Sequence, residues 1–307
     1  MVAVDRQGNY YVAPTYNTGE IARFDSRGRY TGKFGREGRG PGEFGPLISR
    51  IRVGPGDSVH VFEGNRHTVL APGLRSVASV RMLPVMPHDI DFFSDGRMVV
   101  QSLVAGSGGI GQPLHVVGPD GQVVRSFGGT HRWNPKKIYQ RFRALAPGSH
   151  DQMWSAHAGE YRIDLWGPDG ATRLSLARSA GWFSPWGDRV ESYEEAVRHP
   201  RIVDVAEDGR GRLWVNISVP DPDWRPGDRG RETPVEEVAP DSEQDTIIEV
   251  LDPVRRRLIA RARFDESFNN FVGNGPFIWS SGEDREGNKL LRVWRVRLST
   301  SGGGNLR

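Results

Sequence analysis

Along the chain, apolar and polar residues alternate over short runs. Each run stops at a cluster of Gly, Asp, Asn or Pro, the pattern of twisted antiparallel strands joined by tight turns. V-A-V-D-R-Q-G-N-Y-Y-V-A (2–13) predicts strand, turn, strand, and E-I-A-R-F-D-S-R-G-R-Y-T-G-K-F-G (20–35) adds a second hairpin that ends in Phe-Gly. The same grammar returns along the whole chain, giving six copies at roughly 2–35, 50–83, 88–129, 141–178, 201–264 and 269–300. The third copy is the clearest: H-D-I-D-F-F-S-D-G-R-M-V-V-Q (88–101) leads to L-H-V-V-G-P-D-G-Q-V-V-R-S-F-G (114–128), where Pro-Asp-Gly sets the second turn. The fourth turns on Gly-Pro-Asp-Gly again, the fifth is split by an insertion, and the sixth is short before the chain runs out in S-G-G-G-N.

Between the first two copies lies F-G-R-E-G-R-G-P-G-E-F (34–44). This connector, with the recurring Gly-Pro-Asp-Gly turns, resembles the NHL-type and related six-bladed β-propeller proteins of bacteria, in which a strand ending in Phe-Gly passes through a Gly/Pro-rich segment to the next blade. The resemblance implies an all-β chain forming one six-bladed β-propeller over residues 1–300, mostly with four-stranded antiparallel blades, and a flexible tail at 301–307. A propeller of four-stranded blades commonly closes by lending a terminal strand to the last blade. Residues 2–4 already read as an inner strand, so the last blade is expected to be incomplete, its closing strand and an export signal belonging to a segment upstream of Met1; the rival expectation is a last blade of three strands with an open edge.

Composition adjusts this picture only slightly. The 307 residues divided among six copies leave about fifty each, within the range of propeller repeats. There is no Cys, which removes disulfides, thiolate zinc sites and thiol nucleophiles. No stretch is long and apolar enough to span a membrane, and no signal peptide opens the sequence. A net charge of +3 spread through every copy describes a mixed solvated surface, with no basic face for a nucleic acid. R-R-R-L-I-A-R-A-R (255–263) is the densest basic run, yet alternation divides its arginines between two strand faces without interleaved aromatics. G-S-G-G-I-G (106–111) lies in a hairpin with no following helix, so it lacks the context of a phosphate loop. Gly-x-Ser-x-Gly and His-Glu-x-x-His are both missing.

Two interruptions of the repeat draw attention, because binding residues concentrate on loops held by a rigid scaffold. The segment 218–246 is proline-rich and acidic, with Trp224 inside it; it reads as a surface loop or an acidic lid. Trp182, Phe183 and Trp186 precede E-S-Y-E-E-A-V-R-H (191–199), a short helix by pattern, and are expected to pack that helix onto the rim.

Aligning the copies places two polar sets toward one mouth of the channel. The residues closing each second strand are Pro14, Glu63, Gln101, His157, Asn216 and Ser281. Those entering the inner strands are Arg50, His88 with Asp89, Arg141, Arg201 and Asn269. Glu63, His157 and Asn216 offer the carboxylate, imidazole and amide that a divalent cation, calcium or zinc, would accept. Arg50, Asp89, Gln101, Arg141, Arg201 and Asn269 form a ligand-binding set, in which the arginines suit an anionic or sugar-acid group. The leading expectation is a non-catalytic, monomeric, small-molecule- or protein-binding propeller, which the resemblance places in the periplasm or outside the cell. The alternative is a metal-dependent lyase or lactonase-like hydrolase with His157 or His88 as acid or base. It resembles the streptogramin lyases, gluconolactonase-like hydrolases and peptidyl-hydroxyglycine lyases, although their full ligand sets do not map onto these residues.

Overall fold

A computed structural model of the chain describes residues 1–14, 19–102, 110–132, 142–186, 198–223, 244–273 and 275–299. The strands are β1 Val2–Val4, β2 Tyr10–Val12, β3 Ile21–Phe24, β4 Tyr30–Phe34, β5 Arg50–Val53, β6 Val59–Glu63, β7 Arg66–Leu70, β8 Val77–Met82, β9 Asp89–Phe92, β10 Met98–Gln101, β11 Ile110–Gly111, β12 Leu114–Val117 and β13 Val123–Phe127. They continue with β14 His131–Arg132, β15 Arg143–Gly148, β16 Gln152–His157, β17 Arg162–Trp166, β18 Thr172–Ala177, β19 Arg201–Glu207, β20 Leu213–Pro220, β21 Gln244–Asp252, β22 Arg257–Phe264, β23 Phe271–Val272, β24 Phe277–Glu283 and β25 Lys289–Arg295.

The fold is an all-β, six-bladed propeller. Five blades are four-stranded antiparallel sheets: β1–β4, β5–β8, β9-β10-β12-β13, β15–β18 and β19–β22. The sixth, β23–β25, has three strands. The six blades and the short last one agree with the sequence expectation.

One device explains why the turns recur. In D-x-x-G-[NR] the aspartate side chain folds back on its own hairpin. Asp5 accepts the N–H groups of Gln7 and Asn9 at 3.0 and 2.8 Å. Asp25 does the same for Arg27 and Arg29, both at 2.9 Å. Asp208 serves Arg210 and Arg212 at 2.9 and 3.1 Å, and Asp284 serves Glu286 and Asn288 at 3.0 and 2.8 Å. In two hairpins the second carboxylate oxygen also takes a buried aromatic donor, Tyr11 Oη on Asp5 and Trp214 Nε1 on Asp208, each at 2.8 Å.

Two compact units can be described. The first is Met1–Trp133 with His150–Met153 and Trp166–Arg173; the second is Asn134–Ser149, Trp154–Leu165 and Leu174–Arg307. In the first, Tyr11, Ile21, Phe44, Ile48, Ile51 and Leu70 form a core between blades one and two, and Phe62, Ile90, Val100 and Val117 another between blades two and three. Phe44 closes the 34–44 connector. Its ring stands where a Cβ on Gly35 would be, only 2.7 Å away, and Gly35 has φ +97°. The Phe-Gly signature is therefore a packing requirement.

In the second unit, Trp154, Ile163, Val205, Val215 and Ile217 form the main core, with Phe183 beneath it. Trp186 packs on Ala158 and donates Nε1–H to Pro200 O at 3.0 Å. The aromatics of 182–186 are thus packing residues, while 191–197 of the expected helix lies outside the described residues, as do 103–109, 224–243 with Trp224, and the 300–307 tail. The basic run of β22 is ion-paired to β21 and its following turn: Arg261 to Glu249 at 2.7 Å, Arg263 to Asp245 at 2.6 Å and Arg255 to Asp252 at 3.0 Å.

Candidate functional site

In the first unit the head of the inner strands is built from two alternating pairs, Arg50-Ile51-Arg52 on β5 and Asp89-Ile90-Asp91 on β9. Residues two apart on a strand share a face. Arg52 Nη2 reaches Asp89 Oδ1 at 2.7 Å and its Nε donates to Ile90 O at 3.0 Å. Arg50 Nε stands 3.7 Å from the same carboxylate and its Nη1 donates to Ser49 O at 2.9 Å. Asp89 is opposite Gln101 in the β9–β10 register, and His88 N donates to Gln101 O at 2.8 Å. Arg50, His88, Asp89 and Gln101, chosen from alignment alone, are therefore neighbours. Burial, then the Arg50 charge, lowers the His88 imidazole below its ordinary value.

Arg52 and Asp91 escape that alignment, although the R-I-R and D-I-D spacing carries the signal. Burial pushes the Asp91 carboxyl up to about 7, with the Asp89 charge adding to the rise and Arg52 opposing it. One carboxylate of the pair thus titrates near neutrality.

The second unit holds two polar groups. In blade five, Arg201 donates Nη2 to Gln244 Oε1 at 2.6 Å, and Ser218 Oγ donates to the same oxygen at 2.5 Å. Asn216 Nδ2 donates to Asn269 O. This fixes the amide orientation, because a flipped amide would set oxygen against oxygen. Asn216 has no solvent exposure, and its Oδ1 has no hydrogen-bond partner among the described residues. Across the strand pair Asn216 faces Asp204, whose oxygens accept Val205 N at 2.9 Å and Phe271 N at 2.7 Å. Alignment makes Asn216 the last residue of its strand, but β20 runs on to Pro220, so Asn216 sits inside the sheet. Likewise β24 runs past Ser281 to Glu283, and β2 stops before Pro14.

In blade four, His157 Nε2 lies 3.4 Å from Asp164 Oδ2, and Nδ1 lies 4.0 Å from Glu160 Oε2. Asp164 is fully buried and also takes Ser175 Oγ at 2.6 Å and Arg162 Nε at 3.1 Å. Burial alone would raise its carboxyl; the nearby His157 ring and hydrogen bonds from Ser175 and Arg162 outweigh burial and hold it at about 2. His157 is lowered by burial, with the nearby Asp164 opposing the shift. The Arg143 guanidinium is brought down to about 10 by burial. Asp164 and Arg143 do not stand out in the sequence, since a polar residue inside a strand gives no signal of its partners.

Glu63 has a different setting, in the first unit. Its Oε2 pairs with Arg66 Nη1 at 2.6 Å and its Oε1 takes Gly45 N. Arg66 continues to Glu43 O at 2.9 Å and Gly40 O at 2.8 Å, so Glu63 anchors the end of the 34–44 connector. Arg141 lies outside the described residues. Among the described residues no group of three or more His, Cys, Asp or Glu side chains is gathered to hold a metal ion, and no helix is long and apolar enough to cross a membrane.

No family model matches the chain, and no curated protein matches it by sequence. Solved structures do. A putative exported protein from Bacteroides fragilis superposes with TM-score 0.60 at 12% identity, covering 91% of this chain and 78% of that one. The shared property is the six-bladed propeller. Virginiamycin B lyase from Staphylococcus aureus gives TM-score 0.50 at 11% identity over 97% of this chain and 84% of its own. A luciferin-regenerating enzyme gives 0.51 at 14% over 95% and 89%. At these identities the likeness establishes fold alone, and this fold serves chemically unrelated proteins.

Proposed function

We propose that the protein is a binding propeller of NHL-like type whose channel-mouth residues are non-catalytic, exported by a bacterium and working as a monomer. The observation that carries this reading is Asn216 Oδ1: an acceptor held in one orientation, buried, and unmet by any described donor. Buried polar atoms are nearly always hydrogen-bonded in native proteins, and a donor from a bound ligand is one way to satisfy an exception. A neutral hydroxyl or amine group of a small ligand fits that need, with Asn269 beside it. The Bacteroides fragilis neighbour, named a putative exported protein, supports the compartment only by analogy of fold.

A second reading, a metal-dependent lyase or lactonase-like hydrolase, draws on His157. Its Nε2 lies 3.4 Å from Asp164 Oδ2 and its Nδ1 4.0 Å from Glu160 Oε2, so the ring could serve as a base or as a ligand for a divalent cation between two carboxylates. One experiment separates the two. Thermal melts are run after chelation with neutral sugars, polyols and primary amines, then with calcium, magnesium, manganese and zinc added singly. A ligand at a hundredfold excess over its Kd stabilises the folded state by about 2.7 kcal/mol. A shift with a sugar, polyol or amine that is lost in Asn216→Ala supports the binding reading. A metal-specific shift lost in His157→Ala but kept in Asn216→Ala transfers the case to the enzyme. Shifts that survive both substitutions refute both readings.

A further inference from the structure

Blade two contains a hydrogen-bonded chain that neither reading uses. Ser58 Oγ is 2.9 Å from His60 Nε2, and His60 Nδ1 is 2.9 Å from His67 Nε2. His60 and His67 come from paired strands β6 and β7, and Ser58 is the residue just before β6. The His67 ring stacks on Phe62 at 4.4 Å with an interplanar angle of 4°, and His60 leans on Phe92 at 4.4 Å. Both rings are thereby fixed. Gly54 has φ −93°, which any residue can adopt, yet a Cβ there would lie 2.6 Å from His60 Nε2 and 3.3 Å from Ser58 Oγ. The glycine serves space alone, the space next to the serine and the reactive nitrogen. The turn before Ser58 has left-handed residues at Gly56 and Asp57, with φ 75° and 60°. A similar Pro-Gly turn at Pro72–Leu74 leads into Arg75 and Ser76 without a histidine beside it, so the turn alone does not account for the relay.

We propose that Ser58, His60 and His67 form a nucleophile, a general base and an orienting group able to perform acyl transfer on a small carboxylic ester. Nucleophile and base within hydrogen-bond reach, with the base oriented by a third group, is the diagnostic arrangement for an activated hydroxyl. Ser58 Oγ attacks the ester carbonyl carbon as its proton passes to His60 Nε2. The C–O bond to the alcohol breaks, and the departing oxygen takes that proton. Water, deprotonated by His60, then cleaves the acyl-serine to a carboxylic acid and returns the proton to Ser58. His67 is a positioning residue: in the tautomer this chemistry uses, its Nε2 accepts Nδ1–H of His60, and Ser58 turns its hydroxyl from Pro55 O, 3.2 Å away, to the His60 Nε2 lone pair. Burial, helped by the Arg81 charge, lowers the His60 imidazole to about 4, so its lone pair is free at neutral pH. Arg52 stands opposite His60 and Arg81 opposite His67 in the sheet register, and the Arg81 charge acts against protonation.

The test uses the full chain and a fluorophosphonate probe, whose P–F bond is replaced by an O–P bond to an activated serine with loss of fluoride. Peptide mass spectrometry is expected to find one adduct, on Ser58, absent from Ser58→Ala. His60→Gln is expected to slow labelling by about a hundredfold or more, the lower end of what a positioned base contributes. His67→Phe keeps the stack on Phe62 and removes the hydrogen bond; it should slow labelling, and His67→Asn, whose amide oxygen accepts from Nδ1–H, should restore much of it. A merely structural His67 would not show that rescue. A second measurement, the p-nitrophenyl acetate burst, should be present in the wild type and lost in Ser58→Ala, which changes only a half-buried turn residue. No Ser58 adduct at probe levels that label a known serine hydrolase, or labelling indifferent to His60→Gln, overturns the proposal.

Discussion

Replacing Asp91 by Asn removes a carboxyl whose ionisation the fold resists, and the size of the effect follows from its titration. In the folded chain burial raises the group from 3.8 to about 7. A raised carboxyl means that the folded state holds the proton more tightly than the unfolded chain. Asp91 therefore costs nothing below pH ~4, becomes progressively destabilising from there to about 7, and exerts its full cost above that. At ~1.4 kcal/mol for each pH unit of separation, the full cost is about 4 kcal/mol. Asp91 keeps part of its surface open to solvent, which screens the charge, so a value of about 2 kcal/mol is the safer expectation. Asn keeps the short-range bond, because its Oδ1 can still accept Phe92 N, now at 2.8 Å. Urea unfolding followed by tryptophan fluorescence, on wild type and Asp91→Asn from pH 4 to 8.5, measures the difference directly. The two chains should be nearly equal in stability at about pH 4, and the Asp91→Asn chain more stable by about 2 kcal/mol or more at about pH 8. A difference that is flat in pH, or a variant less stable than wild type in alkali, refutes the reasoning.

Two further substitutions probe the repeat. Asp208→Ala strips the acceptor from Arg210 N, Arg212 N and buried Trp214 Nε1, and should cost about 2–3 kcal/mol in urea unfolding, with Asp208→Asn recovering part of it. Gly35→Ala would put a methyl group 2.5 Å from Gly19 O and 2.7 Å from Phe44, whereas Gly28, at a similar positive φ of 76°, has nothing within 4 Å of its added Cβ. Gly28→Ala should cost about 1 kcal/mol of backbone strain and Gly35→Ala at least ~2 kcal/mol more, measured as the shift in melting midpoint; equal losses would show that Phe44 does not require that space.

The all-β fold and its hairpin turns are legible in the sequence because alternation and turn chemistry are local signals. The D-x-x-G-[NR] hairpins announce themselves within five residues, and Pro-Asp-Gly at 119–121 sets the register of β12 against β13 without help from any distant part of the chain. The polar sites are half legible. Arg50, His88, Asp89 and Gln101 emerge together because they occupy equivalent ends of equivalent strands. Asn216 reads as a strand end because the alternating stretch closing there looks complete; the strand continues through I-S-V-P as the chain heads into the acidic insertion. Asp164 and Arg143 are not legible at all. A strand aspartate reads the same whether it faces water or a buried histidine, and only packing decides which. Glu63 shows the converse: its spacing suggests a ligand, but the partner that occupies it, Arg66, is three residues away and equally visible in the sequence.

The aspartate staples have a consequence for how this chain finds its fold. Each one closes a loop of five residues with bonds that need no other blade, so the hairpin at 5–9 or 208–212 can form before any long-range pairing exists. Loop closure over so short a span carries little entropy cost, and contacts of low sequence separation speed folding. The hairpins are therefore expected to act as seeds along the polypeptide, from which blades grow outward, and a damaged staple is expected to slow its own blade while its neighbours still form.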